Sequence, residues 1–178
     1  MKLFLTISVL AAGLLFGGAA GAHSFDTIFV VPQSGAQAEA GKQARDGFMF
    51  AARELDGHPD ETADGHLGGL DVYLRMVDSN GAQGDVLAEL RDLAARPADD
   101  TPRIVAPAAL LPTVKEQIGA AELLAIDLNA PAQPDILTMN GRPFGAAFEA
   151  AFGYAPTPAV FAGYGAARRI DKAVRENN

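Results

Sequence analysis

Two short stretches carry residue types able to grip a small polar molecule. Gln33-Ser34-Gly35 comes just after one strand-like run, Phe25–Val31, and Asp78-Ser79-Asn80 follows another, Leu70–Val77. A Ser-Gly turn at the start of a helix opens backbone N–H groups toward a carboxylate or phosphate. Asp78, Ser79 and Asn80 offer a carboxylate, a hydroxyl and an amide that can orient a polar solute; the same three types also build turns and cap helices. Imidazole is the third chemistry. His58 and His66 share a segment with Asp60, Glu61 and Asp64, and His23 would add an α-amine to its ring if the mature chain began there. That density can ligate zinc or copper, although the spacing fits no helical His-x-x-x-His pattern. Nucleophilic catalysis has little to work with, because the sequence holds no Cys and no Gly-x-Ser-x-Gly elbow. The residues point to a binding protein, not an enzyme, and to no cofactor.

The elements that must position these groups read as alternating strands and helices. Phe25–Val31 is β-branched and aromatic, and Pro32 bounds it, as in a strand buried on both faces. From about Glu39 to Leu55, Ala44, Phe48, Ala51 and Leu55 share one helical face. Residues 56–66 read as a polar loop, and Leu70–Val77 as a strand with alternating sides. Asp78–Gly81 forms a turn holding a helix cap, and Val86, Leu90 and Leu93 stripe the helix that follows, which stops at Arg96-Pro97. Arg103–Ala106 is a third strand. Thr113 and Glu116 have capping-box spacing, which starts a helix at Val114, and Leu123–Leu128 is a fourth strand. Ile136–Met139 reads as a short fifth strand. Two helices close the chain, one with Pro143 at its first position and one after Thr157-Pro158. The pattern predicts an α/β fold, a three-layer sandwich around a mostly parallel, doubly wound sheet. Ligands of such sheets sit at the carboxyl ends of the strands.

Lys2, the apolar Leu3–Phe16 and Ala20-Gly21-Ala22 have the order of a secretory signal peptide, which divides the chain into a signal segment 1–22 and one domain, 23–178. The expected location is therefore the periplasm, with no membrane insertion after cleavage. A net charge of −8, with nothing basic clustered on one face, argues against nucleic acid as a partner.

Phe29-Val30-Val31-Pro32-Gln33-Ser34-Gly35, then Gly41, Gly47-Phe48 and Ala51–Leu55, and Gly68-Gly69-Leu70 before the second strand, resemble the opening of type 1 periplasmic binding proteins of the leucine/isoleucine/valine-binding kind. The tail Phe144–Ala173, with Phe152, Gly153-Tyr154, Pro158, Gly163-Tyr164 and Ile170, is similar to the helices that return such proteins to their first lobe. The resemblance implies one lobe of that fold, with the second lobe missing where residues 129–140 stand. It also implies a small solute, an amino acid or related molecule, and an ABC-transporter permease or periplasmic sensor as partner. In the family, small hydroxyl residues after the third strand hold the solute carboxylate; Ala106-Pro107-Ala108-Ala109-Leu110 has none, and Ala108 is the matching position. The family's Tyr-Asp in the last helix is Tyr164-Gly165 here. One lobe leaves its strand-end face open, so a homodimer through that face is a further expectation. Two other functions stay open: an interaction or sensor module that docks on a partner without tight solute binding, and a metal-binding protein using the His58–His66 loop.

Overall fold

β1 (Ser24–Val31) lies inside the sheet, and its side chains alternate between two cores. Phe25, Phe29 and Val31 face one core, and Ile28 and Val30 face the other. Ile28–Val31 is apolar on both sides, as a strand covered on both faces requires, and the polar Asp26 and Thr27 before it are also buried. The computed structural model describes residues 24–54, 56, 62–96, 101–119, 121–133 and 135–177. Leu55, expected in the first helix, and the signal segment lie outside them.

A 3-10 turn (Gly35–Gln37) leads from β1 into α1 (Ala38–Glu54). There follow β2 (Gly65–Leu67), β3 (Leu70–Asp78), α2 (Gln83–Ala94), β4 (Arg103–Pro107), α3 (Leu111–Ile118) and β5 (Glu122–Ile126), and then α4 (Phe144–Phe152) and α5 (Pro158–Asn177). The sheet order is β2-β3-β1-β4-β5, parallel except for β2. From β1 the chain crosses to β3 on one side, then returns past β1 to β4 on the other. α1, α4 and α5 pack on one face, and α2 and α3 on the other. Reversing the direction of travel while keeping crossovers right-handed puts the helices on opposite faces. The expected three-layer α/β sandwich is present.

The aromatic side chains sit mainly on the α1 face. Phe50 meets Phe144 and Phe148 edge-on, each at 5.6 Å between ring centroids. Pairs of this kind contribute about 0.5–1.5 kcal/mol beyond their buried area.

Several local expectations are corrected. Gly68 and Gly69 have φ of +67° and +86°, and they form the turn of a β2–β3 hairpin, so part of the expected polar loop is an antiparallel edge strand. Two central residues at positive φ suit the twist of a tight hairpin. β2 is too short to show alternation in sequence. The Asp78–Gly81 turn does not cap α2, whose N-cap is Ala82 with no side-chain bond. α3 begins at Leu111 with Pro112 in its first turn, so Thr113 lies inside the helix and forms no capping box. Proline's fixed φ suits a first turn, and here it outweighs the Thr113 signal. Ile136–Met139 forms no strand; a single bridge joins Leu137 to Pro143. Pro143 is the N-cap of α4, one residue before the expected position.

Candidate functional site

The four parallel strands end at a common edge, and two of the turns there are tied together. Asp78 Oδ1 accepts the Gln33 N–H at 2.8 Å and the Asn80 N–H at 3.0 Å. Ser79 N–H donates to the Val31 carbonyl at 3.1 Å, and the Asn80 side-chain amide donates to the Ser34 carbonyl. Gly35 has φ of +70°, and a Cβ there would lie 3.1 Å from the Asn80 amide nitrogen. The six residues singled out in these turns are therefore neighbours. Their polar groups bond largely to one another, so the pair of turns acts first as a clasp between β1 and β3.

The Gln33 N–H, with the Ser34 hydroxyl and the Asn80 N–H, holds the Asp78 carboxyl below its ordinary value. A carboxyl depressed in the fold contributes stability above its unfolded pKa, about 3.9, and that contribution is lost as pH falls through the lower folded value. Asp78→Ala is expected to flatten part of the stability change below about pH 4 while leaving the helix content unaltered. Denaturant melts at stepped pH read this directly. A variant with the same acid profile as the parent would show that the clasp carries no charge linkage.

Ala108 belongs to a different feature. It lies at the rim of a cleft of about 450 Å³ between the ends of β4 and β5, residues 127–133 with Ile136, and α5. Asp127 and Ile136 line one side, and Phe161, Tyr164 and Arg169 of α5 line the other. Gln33–Gly35 and Asp78–Asn80 are not among its lining residues. Arg169 is exposed, with one guanidinium nitrogen donating to the Ala125 carbonyl at 2.7 Å. A guanidinium has five N–H donors in a fixed fork, so one such bond orients it and leaves others for an anion.

Tyr164, on the α5 side, is held by two polar partners. Its hydroxyl donates to Glu54 Oε2 at 2.8 Å and accepts from Arg168 Nη1 at 3.2 Å. Burial, reinforced by the Glu54 bond, pushes the phenol up to about 12, so it stays a neutral donor. The cleft residues of α5 carried weak sequence signals. In the sequence, Tyr164 falls on the apolar stripe Val160, Tyr164, Ala167, Ile170 and Val174, and Arg169 lies toward the C-terminal end of that helix, where a cation favours the dipole. Only the packing of α5 beside β5 gives them a common side.

His66 lies on β2 and is wedged between two carboxylates, Nδ1 at 3.1 Å from Asp56 and Nε2 at 2.7 Å from Asp71. Both ring nitrogens are therefore engaged inside the chain. His23 and His58 lie outside the described residues. Among the described residues no group of three or more His, Cys, Asp or Glu could hold a metal ion. No helix among them is long and apolar enough to cross a membrane.

No protein-family model matches the chain, and no curated protein matches it. Among solved structures, the chain is similar to a solute-binding protein of an ABC transporter from Rhodopseudomonas palustris BisB5, in complex with 3,4-dihydroxybenzoic acid. The match covers 86% of this chain and 81% of that one, at a TM-score of 0.47 and 12% sequence identity.

Proposed function

We propose that the chain is an exported solute-binding module that holds a small carboxylate-bearing solute in the cleft beside α5. One observation carries this reading: Arg169 presents a guanidinium to a cleft of about 450 Å³ that has Phe161 and Tyr164 on the same wall. Small-molecule sites are commonly of that size, mostly apolar, with a few polar groups that fix orientation. The cleft also adjoins the carboxyl ends of parallel strands, where open α/β sheets bind ligands. In a chain of net charge −8, a lone cation on an apolar wall gives local selectivity for an anion. The solute class implied by the family resemblance, amino acids and their relatives, has the required carboxylate. In this reading Asp127 on the opposite side receives the ammonium of a zwitterion.

A second reading is a docking role, in which another chain, a permease, a sensor or a second copy, covers the open mouth of the cleft. The two readings differ in what stabilises the purified protein. A thermal-shift screen against amino acids, aromatic acids and the matching amides is expected to raise the midpoint with the carboxylates and not with the amides. Arg169→Gln should then weaken the best carboxylate by tenfold or more, about 1.4 kcal/mol. Equal shifts for acids and amides, or an unaltered response in the variant, would remove solute binding at this cleft and leave the docking role.

A further inference from the structure

We propose that Asn140 is a site of spontaneous deamidation in the folded protein, and that the clasp between β1 and β3 shields the chain's other Asn-Gly pair. The sequence holds two such pairs, Asn80-Gly81 and Asn140-Gly141. In each, the glycine's lack of a Cβ lets its backbone nitrogen approach the preceding side chain closely. The reaction needs no enzyme. Once the glycine N–H has lost its proton to base, the nitrogen attacks the Asn Cγ. The N–Cγ bond forms, the Cγ–Nδ2 bond breaks, and the amide nitrogen leaves as ammonia. Water then opens the resulting succinimide at either carbonyl, giving aspartate or isoaspartate. The net change is amide and water to carboxylate and ammonia, with no oxidation or reduction. Residue type makes the two pairs equal; their hydrogen bonds separate them.

Asn80 is tied by its side chain as well as its backbone. Its amide donates to the Ser34 carbonyl and its own N–H to Asp78 Oδ1 at 3.0 Å, while the Gly81 N–H donates to the Asp78 carbonyl at 3.3 Å. Turning the Asn80 Cγ toward Gly81 therefore means breaking the link to β1. Asn140 and Gly141 are both exposed, and the Asn140 side chain makes no hydrogen bond among the described residues. Nothing lies within 4 Å of a Cβ added to Gly141. The Gly141 N–H donates to the Thr138 carbonyl at 3.0 Å, so a glycine N–H must open in both pairs and the side chains make the difference. A reaction that proceeds through local opening is slowest where the most bonds must break together. The Asn140 turn also closes a short return of the chain. Thr138 N–H donates to the Arg142 carbonyl at 2.9 Å, and Phe144 N–H to the Ile136 carbonyl at 3.1 Å. Isoaspartate lengthens the main chain by one carbon inside that turn, in the segment that carries Ile136 of the cleft wall.

Peptide mapping by mass spectrometry, during incubation of the purified protein in mildly alkaline buffer, tests this. Each conversion adds about one dalton, and chromatography separates the isoaspartate peptide from the aspartate one. In the folded protein, position 140 is expected to convert at least tenfold faster than position 80. In denaturant, where neither pair keeps its bonds, the two rates should lie within about threefold of each other. Asp78→Ala should speed conversion at position 80 and leave position 140 unaltered. Asn140→Gln, whose longer side chain cyclises far more slowly, should remove the fast gain in intact mass. Equal rates at the two positions in the folded protein, a faster rate at position 80, no conversion at position 140, or the same ratio in denaturant as in the fold would overturn the proposal.

Discussion

Gly163→Val is expected to yield no folded protein, and Gly163→Ala a folded one weaker by about 3 kcal/mol, at the upper end of overpacking costs. The reason is the crossing of α1 and α5. A Cβ on Gly163 would lie 1.8 Å from the Ala44 carbonyl oxygen, and one on Gly47 would lie 2.1 Å from that of Val160. Backbone opposes backbone on both sides, so no side chain can swing away. The two helices would have to separate, opening the core around Phe48, Val160 and Tyr164. For a domain of this size the alanine variant should melt about 10 °C lower. Gly165 is the control, since nothing lies within 4 Å of its added Cβ. There Ala should match or exceed the parent, because glycine costs a helix up to about 1 kcal/mol. Equal melting points for the Gly163 and Gly165 alanine variants would refute the close crossing.

Asp171→Ala is expected to cost about 2–3 kcal/mol and to loosen the β2–β3 hairpin before the rest of the fold. The Asp171 carboxylate is buried, accepts the Gly68 N–H at 2.7 Å, and pairs with Arg175 at 3.0 Å. Removing it leaves the Gly68 donor unsatisfied, which costs about 1–3 kcal/mol when buried. Arg175 is half exposed, so water recovers much of the ion pair and the loss there is smaller. Asp171→Asn keeps one acceptor and should lose roughly half as much. Hydrogen exchange distinguishes a local from a general effect: protection at Gly65–Leu67 should fall first, while β1 and β4 keep theirs. Uniform loss across the sheet would mean that the hairpin is not separately tethered.

Much of the architecture was legible because it depends on neighbours in the chain. The run Phe25–Val31 could be read as a buried strand, and the stripe Ala44, Phe48, Ala51 as a helix face, since side-chain periodicity follows from local backbone geometry alone. Alternation of such elements then limits the fold to a doubly wound sheet, because crossovers keep one hand. Short or ambiguous segments escaped. β2 is three residues long, and Gly68-Gly69 looked like the lead-in to a strand when it is the turn between two. Asp78, Ser79 and Asn80 were rightly grouped as a polar turn. Their role as a clasp was hidden, because Gln33 and Ser34 lie more than forty residues away and residue type does not say which partner wins. The cleft is the clearest case. Tyr164 donates to Glu54 at a separation of 110 residues, and Arg169 meets Ala125 across 44. Sequence by itself determined the longer elements and their order, since those energies are local. Only the tertiary structure decided which polar groups are satisfied within the chain and which face the cleft, because that depends on how α5 packs beside β5.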